Sequence, residues 1–71
     1  MVQWDDLPAE FRSLFRDTQL PYAVQRLIIQ GWNSMNAEER KEYKDRLEKI
    51  EQPLERAVTG VTEATRKLLQ P

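Results

Sequence analysis

The sequence predicts an all-α protein, with two short helices packed on a long C-terminal helix that is kinked or broken at Pro53. Three observations carry that prediction. Tyr43, Leu47, Ile50, Leu54, Ala57, Val61, Ala64 and Leu68 follow one another at steps of 4, 3, 4, 3, 4, 3 and 4, which draws one apolar seam along a helix. Two Leu-Pro pairs, Leu7-Pro8 and Leu20-Pro21, put proline where a first helical turn tolerates it, because its missing N–H has no partner there. Asn36 and Glu39 stand three apart at the head of the periodic segment, the spacing of a capping box.

The first helix is expected over about Pro8–Arg16. Leu7, Phe11, Leu14 and Phe15 share one of its sides. Asp5, Asp6 and Glu10 lie toward its positive end, and Arg12 and Arg16 toward its negative end, which suits the helix dipole. Asp17-Thr18-Gln19 makes a short connection. The second helix is expected over about Pro21–Ser34. Its Val24, Leu27, Ile28, Trp32 and Met35 fall within roughly 140° of circumference at ~100° per residue. Gly31 interrupts that stripe at a cost of about 1 kcal/mol in helix propensity, which points to the close approach of another helix. Tyr22 and Ile29 point the other way, so this helix carries a second apolar patch on its back.

The third helix starts at Ala37. Pro53 conflicts with its continuation, because an interior proline removes a backbone hydrogen bond and costs about 3 kcal/mol. Either the helix kinks and continues, or it stops at Glu51 and restarts with Pro53 in its first turn. The unbroken apolar phase favours the kinked, nearly continuous rod. Such a rod, Ala37–Leu69, spans roughly 50 Å, and helices of about 13–20 Å cover only its first half. The expected organisation is one domain over residues 1–71, with a three-helix core over 1–51 and a distal helical arm over 52–71. The apolar residues of that arm then need cover from a second copy, from folding back after a break, or from another protein.

Composition narrows the chemistry. The chain has 71 residues, 11 basic and 12 acidic side chains, and no Cys or His. Disulfides and the commoner zinc sites are excluded, and a core of this size is marginal without good packing or a partner. Residues 1–36 carry 3 basic and 4 acidic side chains and residues 37–71 carry 8 of each, so there is no basic arm. The longest apolar run, Leu27-Ile28-Ile29, is far too short to cross a membrane. Met1–Asp6 lacks the charge and apolar run of a signal peptide, so a cytoplasmic or otherwise intracellular setting is expected.

No catalytic constellation stands out. Glu38, Glu39, Glu42, Asp45 and Glu48 alternate with Lys and Arg, which reads as a solvated, ion-paired face. Asp5 and Asp6 lack further ligands for a metal, and two glycines, Gly31 and Gly60, do not make a phosphate loop. The expectation is a non-enzymatic protein–protein interaction module without a cofactor: a small adaptor, inhibitor or regulatory subunit. It would meet another protein or a second copy of itself. The residues expected to bind are Tyr22, Arg26 and Ile29 on the back of the second helix and Leu54, Val58, Val61 and Leu68 on the distal stripe. A structural subunit of a larger assembly, docked through the rod, is a further alternative.

The segment Gly31-Trp32-Asn33-Ser34-Met35-Asn36-Ala37-Glu38-Glu39-Arg40-Lys41-Glu42-Tyr43 resembles the junction between the second and third helices of HMG-box domains. Trp32, Met35, Glu38-Glu39-Arg40 and Tyr43 match that junction in order and spacing, and Phe11 and Phe15 are similar to its aromatic first helix. The resemblance implies an alternative function in DNA binding, for which Arg12, Arg16, Arg26 and Lys41 would supply the cations. The chain departs from the family at its start, where Asp5 and Asp6 stand in place of a basic strand. Its first helix is also about half the usual length.

Overall fold

The computed structural model describes residues 3–16 and 18–69. Met1 and Val2 of the N-terminal pattern and Asp17 of the first connection lie outside them. Trp4–Asp6 forms a 3₁₀ turn, and α1, Ala9–Arg12, runs on into a second 3₁₀ turn at Ser13–Phe15. Three longer helices follow: α2 over Tyr22–Asn33, α3 over Ala37–Glu48 and α4 over Pro53–Leu69.

The first segment buries the face its spacing marked. Leu7, Phe11, Leu14 and Phe15 are all buried, and Phe11 is completely enclosed. Its ring lies 4.3 Å from that of Trp32 and 5.5 Å from those of Phe15 and Tyr43, measured between centroids, so one side chain joins α1, α2 and α3. Asp6 caps a turn of its own by accepting from the Gln3 N–H at 2.8 Å, rather than serving α1.

The α2–α3 corner is built as the Asn36–Glu39 spacing requires. The Glu39 N–H donates to Asn36 Oδ1 at 2.8 Å and the Asn36 N–H donates to Glu39 Oε1 at 3.1 Å. Arg40 closes the corner from the other side. Its Nε donates to the Trp32 carbonyl at 2.9 Å while its guanidinium lies 5.2 Å from the Trp32 ring centroid, where a cation is favoured near a helix C-terminus.

At Pro53 the chain takes the second of its two routes. α3 ends at Glu48, residues 49–52 turn, and Pro53 opens α4. The molecule measures 31 × 24 × 20 Å, so the 50 Å rod does not exist. Arg56 explains how the break is stabilised. Its Nε donates to the carbonyls of Leu47 and Ile50, each at 3.0 Å, its Nη2 donates to Ile50 again, and its Nη1 reaches the Leu14 carbonyl at 2.9 Å. One guanidinium thus satisfies the Ile50 carbonyl, adds a second donor to the Leu47 carbonyl, which also accepts from the Ile50 N–H at 3.1 Å, and ties both to the end of the first segment. The apolar phase crosses the break, but only part of it is buried: Tyr43 and Leu47 of α3 and Ala57 and Ala64 of α4 go inside, while Leu54 and Leu68 stay exposed.

Residues 53–69 consequently form a packed helix instead of a distal arm. α4 runs beside α2 in the same direction. The first turn of α2 shares a groove with Leu54–Val61, and Gly31 near its end meets Ala64. A Cβ on Gly31 would come within 2.6 Å of the Ala64 Cβ and 2.7 Å of its Cα, so the two backbones touch only because residue 31 has no side chain. Ala57, Gly60 and Ala64 give α4 a small-residue face toward the body. Tyr43 crosses from α3 to donate its hydroxyl to the Gly60 carbonyl at 2.7 Å.

A candidate docking surface

α4 carries two stripes. At ~100° per residue, Ala57, Gly60 and Ala64 lie within about 60° of one another, while Leu54, Val58, Val61, Thr65 and Leu68 lie about 90° further round. The first stripe is buried. The second keeps its large side chains outside: Leu54 is 73% exposed, Val58 59% and Leu68 37%, and Leu69 beside it is 79% exposed. Val61, on the same stripe, is half-buried against the core.

The second stripe is one wall of an apolar groove of about 310 Å³. Leu20, Pro21 and Val24 make the other wall, and Ala57 lies between. Leu20-Pro21 holds this wall in place by turning the chain directly into α2, where Gln25 Nε2 fastens the Leu20 carbonyl at 3.2 Å. Leu54 and Val58 are the groove's chief uncovered apolar surface. Fully burying an exposed side chain of this kind is worth about 1.5–3 kcal/mol, and covering the part of each that is still exposed is worth about 1–2 kcal/mol.

The expected patch on the back of α2 is smaller. Tyr22 is 67% exposed, and the Arg26 guanidinium lies 6.0 Å from its ring centroid. Ile29 is only 9% exposed and belongs to the core, which corrects its placement on a free surface. The cause is the N-terminal 3₁₀ turn. It lays Trp4 against α2, so that Ile29 lines a cleft of about 130 Å³ together with Trp4, Tyr22 and Arg26. No regularity in the sequence marks that turn as folding over α2.

Several of the charged residues hold helices together. Arg46 Nη1 lies 2.9 Å from Glu63, Lys67 pairs with Glu39, and Lys44 Nζ reaches Glu10 at 3.1 Å. The hydrogen bond from Lys67, followed by that from the Asn36 N–H, lowers the Glu39 pKa, and the hydrogen bond to Glu10 raises that of Lys44. Tyr43 is pushed up well beyond the ordinary tyrosine value, first by burial and then by the Glu63 charge, so it stays a neutral hydrogen-bond donor. Among the described residues, no group of three acidic side chains is placed to hold a metal ion, and no helix is long and apolar enough to cross a membrane.

The four candidate cations stand in different settings. Arg12 donates from Nε to the Leu7 carbonyl at 3.0 Å and lies 3.7 Å from Asp5. Arg16 is exposed after the second 3₁₀ turn, Arg26 stacks on Tyr22, and Lys41 is exposed on α3. Compared with protein-family models, with characterised proteins and with solved structures, the chain matches none.

Proposed function

We propose that this protein is a non-enzymatic interaction module, an adaptor, inhibitor or regulatory subunit, that works by receiving an apolar helix face in the groove between α2 and α4. One observation carries the reading. α4 turns its small residues inward and its Leu54 and Val58 outward, beside an apolar wall from α2. A helix that needed only to complete its own core would do the reverse. Tyr22 and Arg26 lie outside this groove and form a separate aromatic–cation patch.

The test is a titration of the isotope-labelled protein with a synthetic Leu- and Val-rich amphipathic helical peptide, followed by two-dimensional amide NMR. Shifts confined to Leu20–Val24 and Leu54–Thr62, and lost in Val58→Glu, support the proposal. An unchanged spectrum at millimolar peptide overturns it. The HMG-box resemblance supports a nucleic-acid reading through Arg12, Arg16, Arg26 and Lys41. Tight binding of duplex DNA that weakens steeply with salt, and that survives Val58→Glu, would favour that reading.

A further inference from the structure

We propose that the face formed by the outer stripe of α4 and the groove beside it receives a second copy of this chain, with the two α4 helices antiparallel about a two-fold axis. The inference rests on the reading of the groove as a docking surface and names its occupant. The argument comes from charge placement. Glu55 and Arg66 lie within about 20° of each other around α4, on the solvent flank of the stripe and eleven residues apart. Glu55 is exposed and makes no ion pair among the described residues. Arg66 is 62% exposed and only 3.9 Å from its nearest acid, Glu63.

A two-fold axis perpendicular to α4 brings like flank to like flank and reverses the chain direction. In the register that sets Val58 against Val61 of the second copy, Leu54 faces Thr65. Glu55 then lies opposite residue 64, about 3 Å along the axis from Arg66 of the second copy. The symmetry makes the pairing reciprocal, so one register produces two opposite-charge contacts. A parallel arrangement turns the Glu55 flank toward the other copy's body and loses both. The same axis sets Leu20 and Val24 of each copy toward the other, so α2 and α4 form one layer facing an identical layer.

Analytical ultracentrifugation of the full chain from about 10 µM to about 1 mM tests this directly. The expected result is a reversible monomer–dimer equilibrium. Val58→Glu should leave a monomer with an unchanged circular dichroism spectrum. Glu55→Arg and Arg66→Glu should each weaken association about tenfold, because each creates two like-charge contacts, and E55R/R66E together should restore it. A monomer throughout overturns the proposal, as does a dimer indifferent to Val58→Glu or a double variant as weak as the single ones. A monomer that still takes the amphipathic peptide removes the second copy but keeps the docking groove. A monomer that ignores the peptide removes both.

Discussion

α3 and α4 share one apolar phase and are separated by residues 49–52, yet they are held by opposite means. α3 buries only Tyr43 and Leu47. The rest of its attachment is polar: the Asn36–Glu39 box, Lys44 to Glu10, Arg46 to Glu63 and Glu39 to Lys67. α4 is far more apolar, but it buries its smallest residues and leaves Leu54 and Val58 in solvent. Apolar content therefore does not rank the two helices by how firmly they are anchored. In α3, two large side chains carry the burial. In α4, the closeness of backbone to backbone at Gly31 and Ala64 does so, and closeness requires small residues.

The sharpest way to break the comparison is at Leu47, which has no exposed surface. Leu47→Ala should cost about 2–5 kcal/mol in urea unfolding, because α3 has no other aliphatic anchor of that depth. On the α4 side the corresponding change is an addition. Gly31→Ala should cost about 1–3 kcal/mol despite its better helix propensity, since the new Cβ meets the Ala64 backbone. Leu54→Ser, measured at concentrations low enough to keep the chain monomeric, should stay within about 0.5 kcal/mol of the parent, being an exposed site there. If Gly31→Ala were neutral and Leu54→Ser costly, the assignment of inner and outer stripes would be wrong.

The junction between the two helices comes next. Arg56→Ala should cost about 2 kcal/mol by removing the guanidinium hydrogen bonds to the carbonyls of Ile50 and Leu14, while the Leu47 carbonyl keeps the Ile50 N–H. Arg56→Lys should recover little of this, because an ammonium cannot fork to three acceptors in that geometry. Thermal melts of the two variants decide the point.

A smaller loss than at Arg56 is expected at the hydroxyl that spans the helices. Tyr43→Phe should cost about 1 kcal/mol at neutral pH. The folded protein holds the Tyr43 phenol above its ordinary value of 10.0, so its contribution is complete below pH 10 and is lost as pH rises further, when the unfolded chain releases the proton first. Stability of the parent should therefore fall more steeply above that pH than stability of Tyr43→Phe, as read from urea midpoints.

Much of this fold is legible in local chemistry. The face of Leu7, Phe11, Leu14 and Phe15 is a periodicity, the Asn36–Glu39 box is a spacing, and Gly31 in an apolar stripe announces a close helix. Each depends on residues within a few positions of one another, and each appears in the structure. The candidate docking surface is legible in part. Leu54 and Val58 are exposed as their stripe suggested, but Ile29 is not, because a turn some twenty-five residues earlier covers it. Arg56 carried no local signal at all. It reads as one more cation on a charged helix, and its role exists only once Leu14, Leu47 and Ile50 are gathered around it.

The sequence by itself determined the helical class, the corner at Asn36 and which face of each segment is apolar. Propensity, capping and periodicity act over a single turn or two, and those distances are written in the chain. Only the tertiary structure decided that the helix breaks before Pro53 rather than bending through it, and which of the two stripes on α4 goes inside. A kinked helix and a broken one present the same apolar phase and each leave a proline without its hydrogen bond. What separates them is the burial of Ala64 against Gly31 of α2 and of Gly60 against Phe15 and Tyr43, together with the Arg56 hydrogen bonds, all of which arise only when the chain folds back on itself.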